Sequence, residues 1–194
     1  MSASTNRESI CSPADGFSFV CKDGHRYISI EGPCTAIPDT DIGQEASDIF
    51  FRTIYPDNDG MTILSDTIPE LNVRILYGID SRLLESIRTQ YPDIPLRCHI
   101  NDTVTDISHS DTDILAVVPG NGNAYMIALR DGRLLLFKQV SADTYKLLYN
   151  ITKIWKELGF VTEKAKIRLY GLQDNRSLIT GLKQMIGENT LCVL

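Results

Sequence analysis

No run of basic residues occurs in this sequence. Its 19 lysines and arginines are scattered against 25 aspartates and glutamates, for a formal net charge of -6. Nucleic-acid affinity rests on neutralising several phosphates, so direct nucleic-acid binding is not expected. Also missing is any apolar run near the roughly 20 residues that span a bilayer, so no membrane insertion is expected. The N-terminal stretch MSASTNRESICSPADGF lacks the apolar centre of a signal peptide. Cysteine is sparse and odd in number: Cys11, Cys21, Cys34, Cys98 and Cys192 lie mostly inside apolar segments. That pattern argues for reduced thiols in a cytoplasm rather than a disulfide framework. The ending LCVL leaves only two residues after Cys192, one short of a prenylation motif.

Catalytic signatures are equally scarce. No serine or cysteine stands in a G-x-S-x-G context. Asp57-Asn58-Asp59-Gly60 echoes a calcium loop, but its glycine comes too early and no glutamate follows at the required distance, so it reads as a surface turn. The three histidines, His25, His99 and His109, are scattered. Cys98-His99 and His109-Ser110-Asp111 contain ligand residue types without a repeated metal-binding spacing, and they read as strand and loop polar residues.

What is present is a chain of 194 residues, 43% hydrophobic, long enough for one large or two small domains with their own cores. The C-terminal half has the cleaner pattern. Apolar runs at Asp113–Val118, Asn123–Leu129 and Arg133–Val140 predict three strands, the last two joined by Asp131-Gly132, a type I′ hairpin signal. From Asp143 the apolar spacing becomes helical (Leu147, Leu148, Ile151, Ile154, Trp155, Leu158) and Gly159 ends it. A strand over Ile167–Tyr170, a helix capped by Asp174 and stopped at Gly187, and a strand over Thr190–Val193 complete the order βββαβαβ. Such an order predicts a ribonuclease-H-like sheet, with the later strands added in parallel through right-handed helical crossovers.

The N-terminal half reads in the same way. Arg7–Cys11, Phe17–Cys21 and Tyr27–Ile30 predict short strands. Ile42–Ile54 predicts a helix, Met61–Leu64 an extra strand, Val73–Tyr77 a strand and Ser81–Tyr91 a helix, with Leu96–Ile100 closing the set. The chain is therefore expected to be a duplicated α/β lobe: a shortened N-terminal ribonuclease-H-like lobe over 1–108 and a C-terminal one over 109–194, with a junction near His99–Asp113.

Tandem ribonuclease-H-like lobes are the architecture of actin-like ATPases. DGFSF (Asp15–Phe19), CTAIPD (Cys34–Asp39), LYGIDSRLLESIRTQYPD (Leu76–Asp93), DGRLLLFKQVSADTYKLLYNITKIWKELGF (Asp131–Phe160) and LYGL (Leu169–Leu172) resemble an uncharacterised bacterial family of actin-like ATPase fold, a domain of unknown function. The resemblance covers nearly the whole chain. It departs at Glu31-Gly32-Pro33, where relatives carry a longer segment that includes a helix. A lobe without that helix has a thinly covered sheet face open to a partner.

The resemblance implies a nucleotide between the lobes, phosphate in the turn after the first strand of each lobe, and a carboxylate at the strand end to hold Mg²⁺ or water. The matching turns supply Asp15, Gly16 and Ser18 in the first lobe, and Gly120, Asn121 and Gly122 in the second, with Gly171 before the last helix as the adenosine-side glycine. Asp15 directly precedes its glycine, and a plain Asp-Gly turn is the favoured reading there. Val117, Val118 and Pro119 stand where the second acid belongs. A degenerate, non-catalytic actin-like fold is therefore expected, a pseudo-ATPase serving as a cytoplasmic protein-interaction or scaffold module. It is expected to have no catalytic residue, no metal ligand and no cofactor. Its partner is an unidentified protein, a homodimer being one option. The alternative is a nucleotide-binding protein or weak ATPase or kinase-like enzyme that takes ATP or ADP with Mg²⁺.

Overall fold

The computed structural model describes residues 10–12, 16–40 and 42–194. The chain folds as two compact units, one comprising Met1–Thr67 and Asn72–Asn101, the other Ile68–Leu71 and Asp102–Leu194.

The second unit carries one five-stranded sheet. β8 (Asp113–Pro119), β9 (Asn123–Arg130) and β10 (Arg133–Ser141) form an antiparallel meander. Asp131 and Gly132 both take positive φ between β9 and β10, as a type I′ turn requires. Helix α4 (Thr144–Glu157) then crosses to β11 (Ala165–Leu169), which pairs in parallel with β8, and α5 (Arg176–Ile186) crosses to β12 (Leu191–Val193), parallel to β11. The resulting order β10-β9-β8-β11-β12 is that of a ribonuclease-H-like sheet.

Helical spacing in α4 puts Leu147, Ile151, Ile154 and Trp155 on one face, where they meet Leu115, Val117, Met126 and Ala128 from the sheet and Leu178 and Leu182 from α5. β8 and β9 are buried almost continuously, the pattern of strands covered on both faces. Asp143 caps α4, its side chain accepting the Lys146 N–H. The cap of α5 is Asn175, whose side chain accepts the Leu178 N–H, and not the expected Asp174.

The first unit distributes its strands over two sheets. β1 (Ile10–Ser12), β2 (Phe17–Lys22) and β3 (His25–Ile30) form a meander joined in parallel by β7 (Leu96–Cys98), in the order β1-β2-β3-β7. β4 (Cys34–Pro38), β6 (Val73–Asp80) and β5 (Met61–Ile68) form a separate sheet in the order β4-β6-β5. The extra strand predicted at Met61 thus runs to Ile68, and a single 3₁₀ turn (Pro69–Leu71) leads on to β6. Helices α1 (Gln44–Ile54) and α2 (Ser81–Gln90) complete the unit, α2 being capped by the Asp80 carboxylate. Cys34 follows β3 after only Glu31-Gly32-Pro33. That short link is possible because Gly32 has no Cβ to collide with the Gly78 carbonyl of β6.

One helix was not expected. α3 (Asn101–Ser108) occupies the stretch that sequence patterning assigned to the junction. Its residues, Asn-Asp-Thr-Val-Thr-Asp-Ile-Ser, are poor helix formers with only two strongly apolar positions, so periodicity had little to register. Those two, Val104 and Ile107, are both fully buried, and tertiary packing outweighs propensity.

Candidate functional site

In the second unit the predicted glycines converge at the C-terminal edge of the parallel strands β8 and β11. In open α/β sheets this is the edge that holds ligands. β8 ends at Pro119 and the chain returns through Gly120-Asn121-Gly122. Beyond β11, Gly171 takes a positive φ of 59° and lies against Pro119, so close that a Cβ there would sit 3.3 Å from the proline ring. The Tyr170 N–H donates to the Val117 carbonyl at 3.0 Å and binds the two strand ends together.

Phosphate binding by such turns needs backbone N–H groups directed outward and uncommitted. Here the Gly120 N–H donates to the Asn123 carbonyl at 2.9 Å, and the Gly171 N–H donates to the carbonyl of Leu194, also at 2.9 Å. The Asn123 side chain folds back over Gly120, with its Oδ1 buried and without a hydrogen-bond donor. An oxygen lone pair so placed repels a phosphate oxygen. No acid stands at the end of β8, whose last residues before Pro119 are the buried Val117 and Val118. Two of the amides that a phosphate would need at this edge are therefore committed within the protein.

An acid that sequence reasoning missed lies close by. Asp106 of α3 accepts the Tyr170 hydroxyl at 3.0 Å and Arg168 at 3.2 Å. Burial pushes the Tyr170 phenol up to about 12; Arg168 opposes the shift and Asp106 adds to it. Asp106 belongs to the helix that patterning did not register, and it is already engaged by both side chains.

In the first unit, Asp15 lies outside the described residues. Gly16 has a positive φ of 74°, and its carbonyl accepts the Glu31 N–H at 2.9 Å. Ser18 is a strand residue, in register with Cys11 on one side and Ser29 on the other. A pocket of about 430 Å³ lies elsewhere in this unit, with Asp66, Tyr77, Arg88 and Gln44 among its lining residues. The Asp66 carboxylate there accepts the Tyr77 hydroxyl at 3.3 Å, the Cys98 N–H at 2.7 Å and the Asn101 amide at 3.0 Å. Those contacts commit it to joining strands rather than to a visiting molecule.

Comparison with known proteins places the chain by family and by fold. The family described as "Protein of unknown function (DUF3822)" matches residues 31–186, and the chain belongs to it. Among solved structures, it is similar to a Bacteroides thetaiotaomicron protein with actin-like ATPase fold and unknown function. The TM-score is 0.70 at 20% identity, over 83% of this chain and 64% of that one. The chain thus has the actin-like ATPase fold, and it spans less than two thirds of that relative's length. Archaeoglobus fulgidus Pelota matches at a TM-score of 0.30 and 12% identity, over 63% of this chain and 34% of that one. No curated protein matches. Among the described residues, no helix is long and apolar enough to cross a membrane.

Proposed function

We propose that this family member is a protein-docking module built on the actin-like fold, performing no phosphoryl transfer, and that it docks on a second copy of itself. The observation that carries the reading is the outward face of α1. This helix buries only Ser47 and Phe51, while Ile49 is 62% exposed, Phe50 44% and Ile54 43%. Positions 46, 49, 50, 53 and 54 share one side of the helix, so its apolar residues form a stripe directed to solvent. Contiguous exposed apolar surface of this kind marks interaction sites.

Charge argues for a second copy as the occupant. α1 carries Glu45 in its first turn and Arg52 in its last. Two such helices packed antiparallel about a two-fold axis place each Glu45 near the other copy's Arg52, with Ile49 and Phe50 at the centre. The exposed charges set orientation, and the apolar stripe supplies the free energy. The spent amides at Gly120 and Gly171 support the non-catalytic half of the reading.

Sedimentation equilibrium is expected to show a concentration-dependent dimer that Phe50→Glu and Ile49→Lys each convert to a folded monomer. A chain that stays monomeric at every concentration, or a dimer indifferent to both substitutions, overturns the docking face. The nucleotide reading is tested by thermal unfolding with ATP or ADP and Mg²⁺, since a molecule at 100 times its Kd adds about 2.7 kcal/mol. No shift is expected; a shift that Asp15→Ala abolishes overturns the non-catalytic assignment.

A further inference from the structure

We propose that Cys34, Cys98 and His99 form a binding site for one thiophilic divalent cation of the zinc class, which clasps the two sheets of the first unit together. The three residues each offer a ligand atom, and these atoms all lie within 4.8 Å of one another. An ion with metal–sulfur bonds of about 2.3 Å and metal–nitrogen bonds of about 2.0–2.1 Å holds tetrahedral neighbours roughly 3.5–3.8 Å apart. Cys98 Sγ and His99 Nδ1 already stand 3.9 Å apart. That pair needs almost no adjustment, and the others, within 4.8 Å, must close by at most about 1 Å.

Charge balance suits the position. Cys34 and Cys98 are 0% and 2% exposed, and a net charge there would be costly. Two thiolates and a neutral imidazole bring a divalent cation to net zero. The softness of sulfur favours zinc over magnesium or calcium, which take oxygen ligands. The surroundings also hold the ligands in place. The Tyr55 hydroxyl donates to the backbone carbonyl of Cys34, and the Asp66 carboxylate accepts the backbone N–H of Cys98 at 2.7 Å. Such outer contacts orient metal ligands and tune their affinity.

The topology gives the site its purpose. Cys34 opens β4 in the three-stranded sheet and Cys98 ends β7 in the four-stranded sheet. A shared ion ties the two sheets at the point where the chain passes from one to the other through Glu31-Gly32-Pro33. It also closes a long loop of chain, which restricts the unfolded state. Sequence spacing could not announce this site, because Cys34 comes from a different strand and sheet than the adjacent Cys98-His99 pair.

The test is titration of the reduced 194-residue chain with Co²⁺, followed by absorption, and then displacement with Zn²⁺. One equivalent is expected to produce the thiolate-to-cobalt charge-transfer band in the near ultraviolet together with tetrahedral d–d bands, all lost as Zn²⁺ is added. Cys34→Ala and Cys98→Ala should each abolish or halve the charge-transfer band, and His99→Ala should weaken affinity by at least about tenfold. Cys21→Ala and Cys192→Ala should leave the band intact. Thiol protons are displaced on binding, so affinity should rise with pH. A folded wild-type chain without the charge-transfer band overturns the site, whatever the variants do. A band that survives Cys34→Ala undiminished, or that is lost in Cys21→Ala or Cys192→Ala, also overturns it.

Discussion

The carboxylate of Asp66 holds the backbone N–H of Cys98 at 2.7 Å, a contact made across 32 positions of sequence. The same side chain takes the Asn101 amide at 3.0 Å and the Tyr77 hydroxyl at 3.3 Å. One acid on β5 therefore fixes the end of β7, Asn101 just beyond it and the central strand β6. It does so at a cost, because burial raises its pKa from the ordinary value of 3.8 against the pull of all three donors and of Arg97.

This fixes the sign of a pH effect. An acid whose folded pKa is raised contributes stability that is fully present below the unfolded value and is lost as pH rises through the folded one. The difference in unfolding free energy between the wild type and Asp66→Asn should therefore drift against the wild type as pH climbs from 3.8, then flatten. Urea denaturation across a pH series measures it. A difference that moves in favour of the wild type with rising pH would show that the three hydrogen bonds outweigh burial.

Asp66 also marks the limit of what the sequence disclosed. The hairpin at Asp131-Gly132 and the helical spacing of Leu147, Ile151, Ile154 and Trp155 are local signals, and they place the second unit's sheet and α4 correctly. The division of the first unit into two sheets depends on long-range pairings such as Ile28 with Leu96, which no local pattern encodes. α3 escaped because polar residues of low propensity were stabilised by packing, and Asp106 escaped with it. The glycines of the candidate turns were visible; the destinations of their N–H groups were not. Gly120 and Gly171 look available in one dimension and are committed in three.

The Gly120 turn yields a second prediction. A Cβ at position 120 would run into the Asn123 side-chain oxygen and approach the Tyr125 ring at 3.1 Å. Gly120→Ala alone is expected to destabilise by about 1–3 kcal/mol through overpacking. In an Asn123→Ala background the oxygen is gone, and a buried acceptor without a donor is removed as well. A double-mutant cycle by chemical denaturation should thus give a coupling of about 0.5–3 kcal/mol, with the second substitution relieving the first. Additive effects would mean that the turn relaxes without the Asn123 contact.

The cap of α5 separates two neighbouring residues that look alike in sequence. Asp174 has the charge that favours a helix N-terminus, yet Asn175 accepts the Leu178 N–H at 3.1 Å. Asn175 also donates its amide to the Thr144 hydroxyl at 3.0 Å, joining the first turns of α4 and α5. Asn175→Ala should accordingly cost about 0.5–2 kcal/mol, the usual range for a lost cap. Asp174→Ala should cost only the weaker dipole contribution, about 0.3–1 kcal/mol, and lose most of that in high salt. Thr144→Val is the informative third variant, because it keeps the Asn175 cap on Leu178 while removing the hydroxyl that exchanges hydrogen bonds with Asn175. If the link between the helices matters beyond the cap, its stability falls between those of the wild type and Asn175→Ala; if the cap alone matters, it equals or exceeds the wild type.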